Sequence, residues 1–318
     1  MLGRTVNRLQ HTRSPEAVWN GMLRRLRRLD AVFINLECAV SRRGEKWRRT
    51  YRPFHFRADP FWAVPALRRA NVCWASLANN HMLDYGEEAL LDTVKHLDEA
   101  GIAHSGAGKN RSEARQPAFV TVGDVEFAFV SFTDNTPEYA AEDDAPGVAF
   151  IEIDKRSEET RDAVHRALER AKQRDPELLV ASLHWGPNMN PEPFKEHVKF
   201  ARWLIDEGVD VVHGHSAHVF QAVEVYDGKP VMYDCGDFVD DYAVDGELRN
   251  DRGFLFELTV DAGEPRELRL VPTMVEDCAV KPADEEASEW SRNRMRVLSE
   301  NFGTEFESVD GELRLSLG

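Results

Sequence analysis

Apolar residues along this chain fall into short runs ending on polar side chains, separated by stretches with helical spacing. Val18, Trp19, Met22, Leu23, Leu26 and Leu29 recur at three- and four-residue steps across 16–29, with arginines on the other face, which predicts an amphipathic helix. Ser14-Pro15-Glu16 supplies its start, with Ser as cap and Pro in the first turn. Ala31-Val32-Phe33-Ile34 reads as a strand ending in Asn35-Leu36-Glu37, and a long polar loop follows to position 57. The window 61–70 is helical in spacing and leads into the apolar run 72–77, which stops at Asn79-Asn80-His81 and Asp84.

The alternation continues. Leu90, Leu91, Val94 and Leu97 share one face of a helix running from Gly86 to Ala100, with Gly101 as its stop. Windows 119–122 and 125–132 predict a hairpin across Gly123-Asp124. A helix over 157–174 precedes the strand 178–183, which ends in His184-Trp185-Gly186. Phe194, Val198, Ala201 and Ile205 mark another helix before the strand 209–212, which ends in His213-Gly214-His215-Ser216-Ala217-His218. Windows 222–226 and 230–233 pair around Asp227-Gly228. The segment from Phe254 onward alternates strand-like stretches with one helix near 287–299, without a linker, and the chain has no internal repeats.

Helix and strand therefore alternate, and this order makes the strands largely parallel, with their polar ends on one edge. That edge is where open α/β sheets place their chemistry. Five of the eleven histidines occupy these strand ends, and histidine has no packing reason to cluster there. Imidazoles, a carboxylate and amide oxygens form a mixed nitrogen and oxygen donor set, suited to Zn, Mn or Fe rather than to calcium or a thiolate site. The remaining histidines, on helices and loops, read as structural or surface residues. Ser105-Gly106-Ala107-Gly108-Lys109-Asn110 is Gly-rich but lacks the Gly-Lys-Ser/Thr ending of a P-loop.

Composition narrows the class. A chain of 318 residues, 42% hydrophobic and 30% charged, suits one large globular domain. The net charge of −16 excludes nucleic acid as a general partner. Between Arg24 and Arg57, however, eleven Lys or Arg face three acids. A solvated helix face with a polar loop accounts for this, and a basic rim attracting an anionic substrate is the sharper alternative. No apolar run approaches the roughly 18 residues of a membrane span, and no signal-peptide core is present. With four scattered cysteines, reduced thiols and a cytoplasmic location are expected.

In chain order, several segments resemble the capsule and poly-γ-glutamate synthesis family often called CapA, whose fold is similar to calcineurin-like metallophosphoesterases. They are Asn35-Leu36-Glu37, the stretch 77–86, Gly106-Ala107-Gly108-Lys109-Asn110 with Glu113-Ala114 and Pro117, His184-Trp185-Gly186, the stretch 214–221, and Gly228-Lys229-Pro230 to Phe238. The resemblance implies a mixed α/β (α+β) fold, a metallophosphatase-like β-sandwich flanked by helices in four αββα layers. Residues 1–245 would carry it, and residues 246–318 would complete the same domain with strands and a helix. By the same resemblance Glu37, Asn80, His184, His215 and His218 would contact one or two divalent metal ions (Mn, Zn or Fe). His81 would act on the substrate as general acid or oxyanion stabiliser, Asp84 would orient its ring, and Asn35, Asn79 and Trp185 would line the cleft. Paired ions would clamp both oxygens of an in-line displacement.

Three departures qualify the likeness. Ser216 and Ala217 stand where the family usually has His and Pro, so His213 or His215 would replace a ligand. Gly236-Asp237-Phe238 replaces Gly-Asn-Phe, with Asp237 either a ligand or a loop residue. The family opens with a strand running into Gly-Asp-X-Met-Leu-Gly-Arg, whereas this sequence opens on Met1-Leu2-Gly3-Arg4. A start assigned too far downstream, truncating the first strand, is one expectation; a natural variant holding at most one metal well is the other. The function so implied is metal-dependent hydrolysis of an anionic phosphoester or polyglutamate-like substrate. The alternative is a non-catalytic polymer-binding accessory of capsule assembly. Homo-oligomer formation stays open.

Overall fold

A computed structural model describes residues 1–153 and 157–317. The chain enters through helix α1 (Arg4–Gln10). The helix expected over 16–29 is instead a 3₁₀ segment, Pro15–Met22, followed by a four-residue α-turn, Leu23–Leu26. Asn20 breaks it with φ 34° and ψ −124°, outside the helical region. Val18, Trp19 and Met22 are still buried, and Trp19 Nε1 donates to Ala66 O at 2.8 Å. Periodicity placed the apolar face correctly; the backbone at Asn20 interrupts the regular helix.

Three parallel strands form the first sheet, β1 (Val32–Asn35), β2 (Val72–Ser76) and β3 (Ala103–Ser105), in that order. Helix α2 (Pro60–Arg69) leads into β2, and helix α3 (Gly86–Ala100) lies between β2 and β3. Asp59 caps α2 by accepting from Phe61 N, and Gly101 closes α3 at φ 70°. The long polar loop after β1 carries two short pairing segments, Ala39–Val40 and Arg57–Ala58.

The second sheet has six strands. Its first hairpin is β4 (Ala118–Val122) with β5 (Val125–Thr133), crossing at Gly123-Asp124 as the sequence predicts. Helix α4 (Glu158–Lys172) leads to β6 (Leu178–His184), and helix α5 (Lys195–Asp206) leads to β7 (Val211–His215). The hairpin β8 (Val223–Tyr226) and β9 (Lys229–Met232) completes the sheet in the order β8-β9-β7-β6-β5-β4. Strands β5, β6, β7 and β9 run parallel. Every residue of β6 is buried, as expected for a central parallel strand covered on both faces. Gly214 in β7 is required for packing, because a Cβ there would lie 2.0 Å from Tyr233 O.

A third, antiparallel sheet holds β10 (Arg252–Asp261), β11 (Glu264–Glu276), β12 (Ala279–Pro282), β13 (Glu307–Val309) and β14 (Glu312–Ser316), with helix α6 (Glu285–Glu300) preceding β13. The sheets meet face to face. Trp74 stacks on Phe129 at 4.2 Å, and Phe33 meets the same ring edge-on at 4.8 Å. Phe254, Leu268, Leu270, Leu313 and Leu315 of the third sheet join this core, while α4 and α5 cover the second sheet from outside. A second core lies between the first sheet and α2, α3 and the Pro15–Met22 segment. The mixed α/β architecture read from the sequence is the one observed. All four cysteines are unpaired, and no helix among the described residues is long and apolar enough to cross a membrane.

The basic segment is less basic than its composition suggests. Arg25 pairs with Glu257 and Glu312, Arg42 with Asp59, Arg43 with Glu88 and Asp92, Arg49 with Glu87 and Arg52 with Glu138. These partners lie on other elements and consume much of the proposed rim. Asp92 also accepts from Ser41 Oγ at 2.6 Å, and the Arg43 and Ser41 hydrogen bonds outweigh burial to hold its carboxyl below the ordinary value. Its stabilising effect is therefore present above the unfolded pKa and lost as pH falls through the lower folded one. Asp92→Asn should cost about 1 kcal/mol at neutral pH, limited by the solvent around Arg43. In urea titrations, the gap to the native protein should close as pH drops below about 4.

Candidate functional site

Four strand ends meet between the first and second sheets, and Glu37, two residues past β1, sits among them. Asn35 Nδ2 donates to Glu37 Oε2 at 3.0 Å. The other oxygen, Oε1, lies 3.9 Å from His81 Nε2 and 3.7 Å from His218 Nε2. Burial opposes the Glu37 charge, but the imidazoles of His184, His218 and His81 prevail and hold the carboxyl below its ordinary value. His218 is buried as well, yet Asp237 and Glu37 raise it to about 9. Burial lowers His184 to about 4.

The β2 end contributes a locked turn. His81 Nδ1 lies 2.7 Å from Asp84 Oδ2, three residues on. Asp84 is fully buried and also accepts from Phe56 N at 2.6 Å and from Tyr139 Oη at 3.2 Å. With the carboxylate at Nδ1, that nitrogen is assigned the hydrogen, and Nε2 faces Glu37. Phe56 meets the imidazole edge-on at 4.7 Å. Asn79, expected in the cleft, is fully buried and engaged at both ends. It donates to Asn35 Oδ1 and Leu36 O and accepts from His81 N. It fixes β1 against β2 instead of presenting an amide to a ligand.

The second sheet brings a histidine chain. His184 Nδ1 lies 2.9 Å from His215 Nδ1, His215 Nε2 lies 3.0 Å from Ser182 Oγ, and Ser182 Oγ lies 3.1 Å from His213 Nδ1. Burial lowers His215 well below its ordinary value and His213 to about 4. The two ring nitrogens of His215 thus lie within hydrogen-bond distance of His184 and Ser182. Trp185 is 3% exposed, stacked on His197 at 5.0 Å, and its Nε1 donates to Tyr233 O, so it packs in the core. Ser216, where the family has histidine, donates to Gly186 O and accepts from Asn135 Nδ2. Asp237 contacts His218 Nδ1 at 2.9 and 3.1 Å and orients that ring.

Three contributors escaped the sequence reading. Asp234 follows β9 and accepts from Ala217 N and Gly236 N, pinning the 214–218 turn; burial pushes its carboxyl up to about 7. Its position at the end of an apolar strand was the available signal. Tyr242 lies edge-on to His218 at 4.7 Å, and Tyr139 reaches Asp84 from a 3₁₀ turn. Both come from irregular segments, where no periodicity announces them.

Four buried polar atoms in this region have no hydrogen-bond partner: Glu37 Oε1, Asn80 Oδ1, His184 Nε2 and His218 Nε2. Unpaired buried polar atoms are costly, and these four belong to residues at or just past the strand ends that converge here. Two imidazole nitrogens, a carboxylate oxygen and an amide oxygen suit a borderline divalent ion. Among the described residues, no group of three or more His, Cys, Asp or Glu is itself arranged to hold a metal.

This fold, with strand ends converging on one polar site, belongs to a defined class: the chain is a member of the bacterial capsule synthesis protein PGA_cap family, which it matches over residues 1–242. Among individual relatives, it is 37% identical over 286 residues to a protein of Mycobacterium tuberculosis named "Probable polyglutamine synthesis accessory protein", covering 86% of this chain and 73% of that one. It is 27% identical to the capsule biosynthesis protein CapA of Bacillus anthracis, across 100% of this chain and 75% of the relative. A hypothetical protein from Thermus thermophilus shares the fold, with TM-score 0.50 and 17% identity over 85% of this chain and 94% of that one.

Proposed function

We propose that this chain is a metal-dependent hydrolase acting on an anionic substrate in capsule or poly-γ-glutamate synthesis. The observation that carries the reading is the gathering of the four unpartnered donors beside the His81–Asp84 pair. Glu37, Asn80, His184 and His218 would hold the ion, with Asp237 setting the His218 ring and Asn35 the Glu37 carboxylate. A divalent ion there would polarise an ester or amide oxygen and lower the pKa of a coordinated water. His81 exchanges a proton with the substrate at Nε2, while Asp84 and Phe56 keep the ring in one orientation. Polyglutamate or a phosphoester would supply the negative charge.

Elemental analysis of purified protein after Mn, Zn or Fe loading, with phosphodiester and poly-γ-glutamate turnover assays, tests this. One or more ions per chain together with turnover is the expected result. Absence of both would overturn it in favour of a second reading, a non-catalytic polymer-binding accessory. That reading draws on the lack of a closed three-residue His, Cys, Asp or Glu cluster among the described residues, and on the accessory role in the mycobacterial relative's name.

A further inference from the structure

Arg4 opens helix α1 beside the site, and it differs from the arginines whose pairs are described above. Its side chain is 33% exposed, and among the described residues its one ion pair is Nε to Asp241 Oδ2 at 3.5 Å. That oxygen also accepts from Thr5 N at 2.8 Å, so a carboxylate already anchored to the backbone steadies the base of the guanidinium. The terminal nitrogens, Nη1 and Nη2, make no hydrogen bond to any described residue. A guanidinium presents its donors in a planar fork that matches the two oxygens of a carboxylate or phosphate. Arg25 spends that fork on Glu257 and Glu312; the fork of Arg4 is open.

Aromatic rings hold the open fork in place. Its Cζ lies 4.7 Å from the ring centre of Phe54 and 5.2 Å from that of Phe56. Such cation–π contacts restrain a flexible side chain without consuming its hydrogen-bond donors. Phe56 is fully buried, meets His81 edge-on at 4.7 Å and lies 6.0 Å from Tyr242. Tyr242 in turn contacts His218 at 4.7 Å and Phe54 at 6.2 Å. The guanidinium and the His81 imidazole are thus contacts of the same ring. Phe54, 46% exposed, carries the cluster out to solvent. Arg4 also sits at φ 49°, a left-handed conformation that is rare for a long side chain and recurs at binding sites.

We propose that Arg4 binds a second oxyanion of the substrate, a carboxylate or phosphate next to the reacting group, so that the site selects chain molecules bearing repeated negative charge over molecules bearing one. The inference rests on the proposed function for where the reacting group sits. A chain with its reacting bond at His81 Nε2 brings the neighbouring charged group within reach of Arg4. Nη1 and Nη2 take that group as a bidentate pair. Asp241 and the two rings keep the fork from turning away, and Phe54 offers an apolar face to the carbon chain beside the charge.

The test is calorimetric titration of the 318-residue protein, with Mn and in chelator. The probes are a short γ-linked glutamate oligomer, free glutamate, a short phosphodiester oligomer and inorganic phosphate. One oligomer should bind more tightly than its monomer, and which one prevails assigns the oxyanion as carboxylate or phosphate. Arg4→Met should weaken that oligomer roughly 10- to 100-fold, the loss of a charge-assisted pair, and collapse the ratio of oligomer to monomer affinity. Arg4→Lys should recover part of the loss, because the charge returns without the fork. Phe54→Ala, at a half-exposed ring, should keep the fold by circular dichroism and weaken the oligomer roughly two- to fivefold. The Arg4 effect should appear with and without Mn, so a native protein that neither holds metal nor turns over substrate, yet shows this effect, counts against the metal reading alone. Equal oligomer binding by native and Arg4→Met protein, or no preference for either oligomer over its monomer, would overturn the proposal. If Arg4→Met does not fold, an unchanged affinity in Phe54→Ala sinks it.

Discussion

Glu37→Gln should leave the protein folded and weaken its hold on a divalent ion by roughly 100-fold or more, beyond the range expected for a residue that only orients a ligand. The substitution keeps the side chain's shape, and the Gln oxygen can still accept from Asn35 Nδ2. What it removes is the negative charge among His81, His184 and His218, along with one anionic donor. The loss of that charge should also let His218 titrate nearer its ordinary value, since Glu37 is among the groups raising it. Metal stoichiometry by elemental analysis reads the first effect, and the imidazole chemical shifts of His218 in metal-free protein read the second. Equal metal content in the two proteins would show that Glu37 is not a ligand, and an unmoved His218 would show that the two side chains are uncoupled.

Asp84→Ala carries the largest expected cost in stability, about 3–5 kcal/mol, as when a buried charge-bearing network loses one partner. Three donors would lose their acceptor: the Phe56 amide, the Tyr139 hydroxyl and the ring nitrogen of His81. Asp84 is fully buried, so water does not replace the carboxylate without opening the turn. Denaturant titration should show the midpoint falling with an unchanged slope. Asp84→Asn is the milder variant. It can keep the Phe56 and Tyr139 bonds while losing the charge that orients His81, so turnover should drop roughly 10- to 100-fold with a smaller loss of stability. If Asp84→Asn turns over at the native rate, His81 does not depend on that carboxylate.

Much of the fold was readable because hydrophobic spacing reports burial directly. The hairpin at Gly123-Asp124, the helix closed by Gly101 and the central strand ending at His184 all follow from period and turn chemistry. The segment 16–29 shows the boundary of that method. Its apolar face was correct, but the segment is a 3₁₀ helix interrupted at Asn20 rather than an α-helix, with Val18, Trp19 and Met22 still buried. The site divides along the same line. Converging strand ends marked Glu37, Asn80, His81, His184 and His218 as neighbours, since parallel strands deliver their ends to one edge. Spacing does not reveal how a polar group is used once it is buried. Asn79 turned inward to tie β1 to β2, His215 came within hydrogen-bond distance of Ser182 and His184, and Trp185 stacked in the core.

The amino-acid sequence by itself determined the order of helices and strands, the edge at which the polar ends gather and the chemical character of that edge. These follow from local periodicity and from the handedness of parallel connections. Only the tertiary structure decided which donors remain unpartnered and which arginines meet acids across the loop. Each of those depends on contacts between residues far apart in the chain. A hydrogen bond or a packed face is fixed by where its partner lies in space, and a one-dimensional pattern carries no record of that distance.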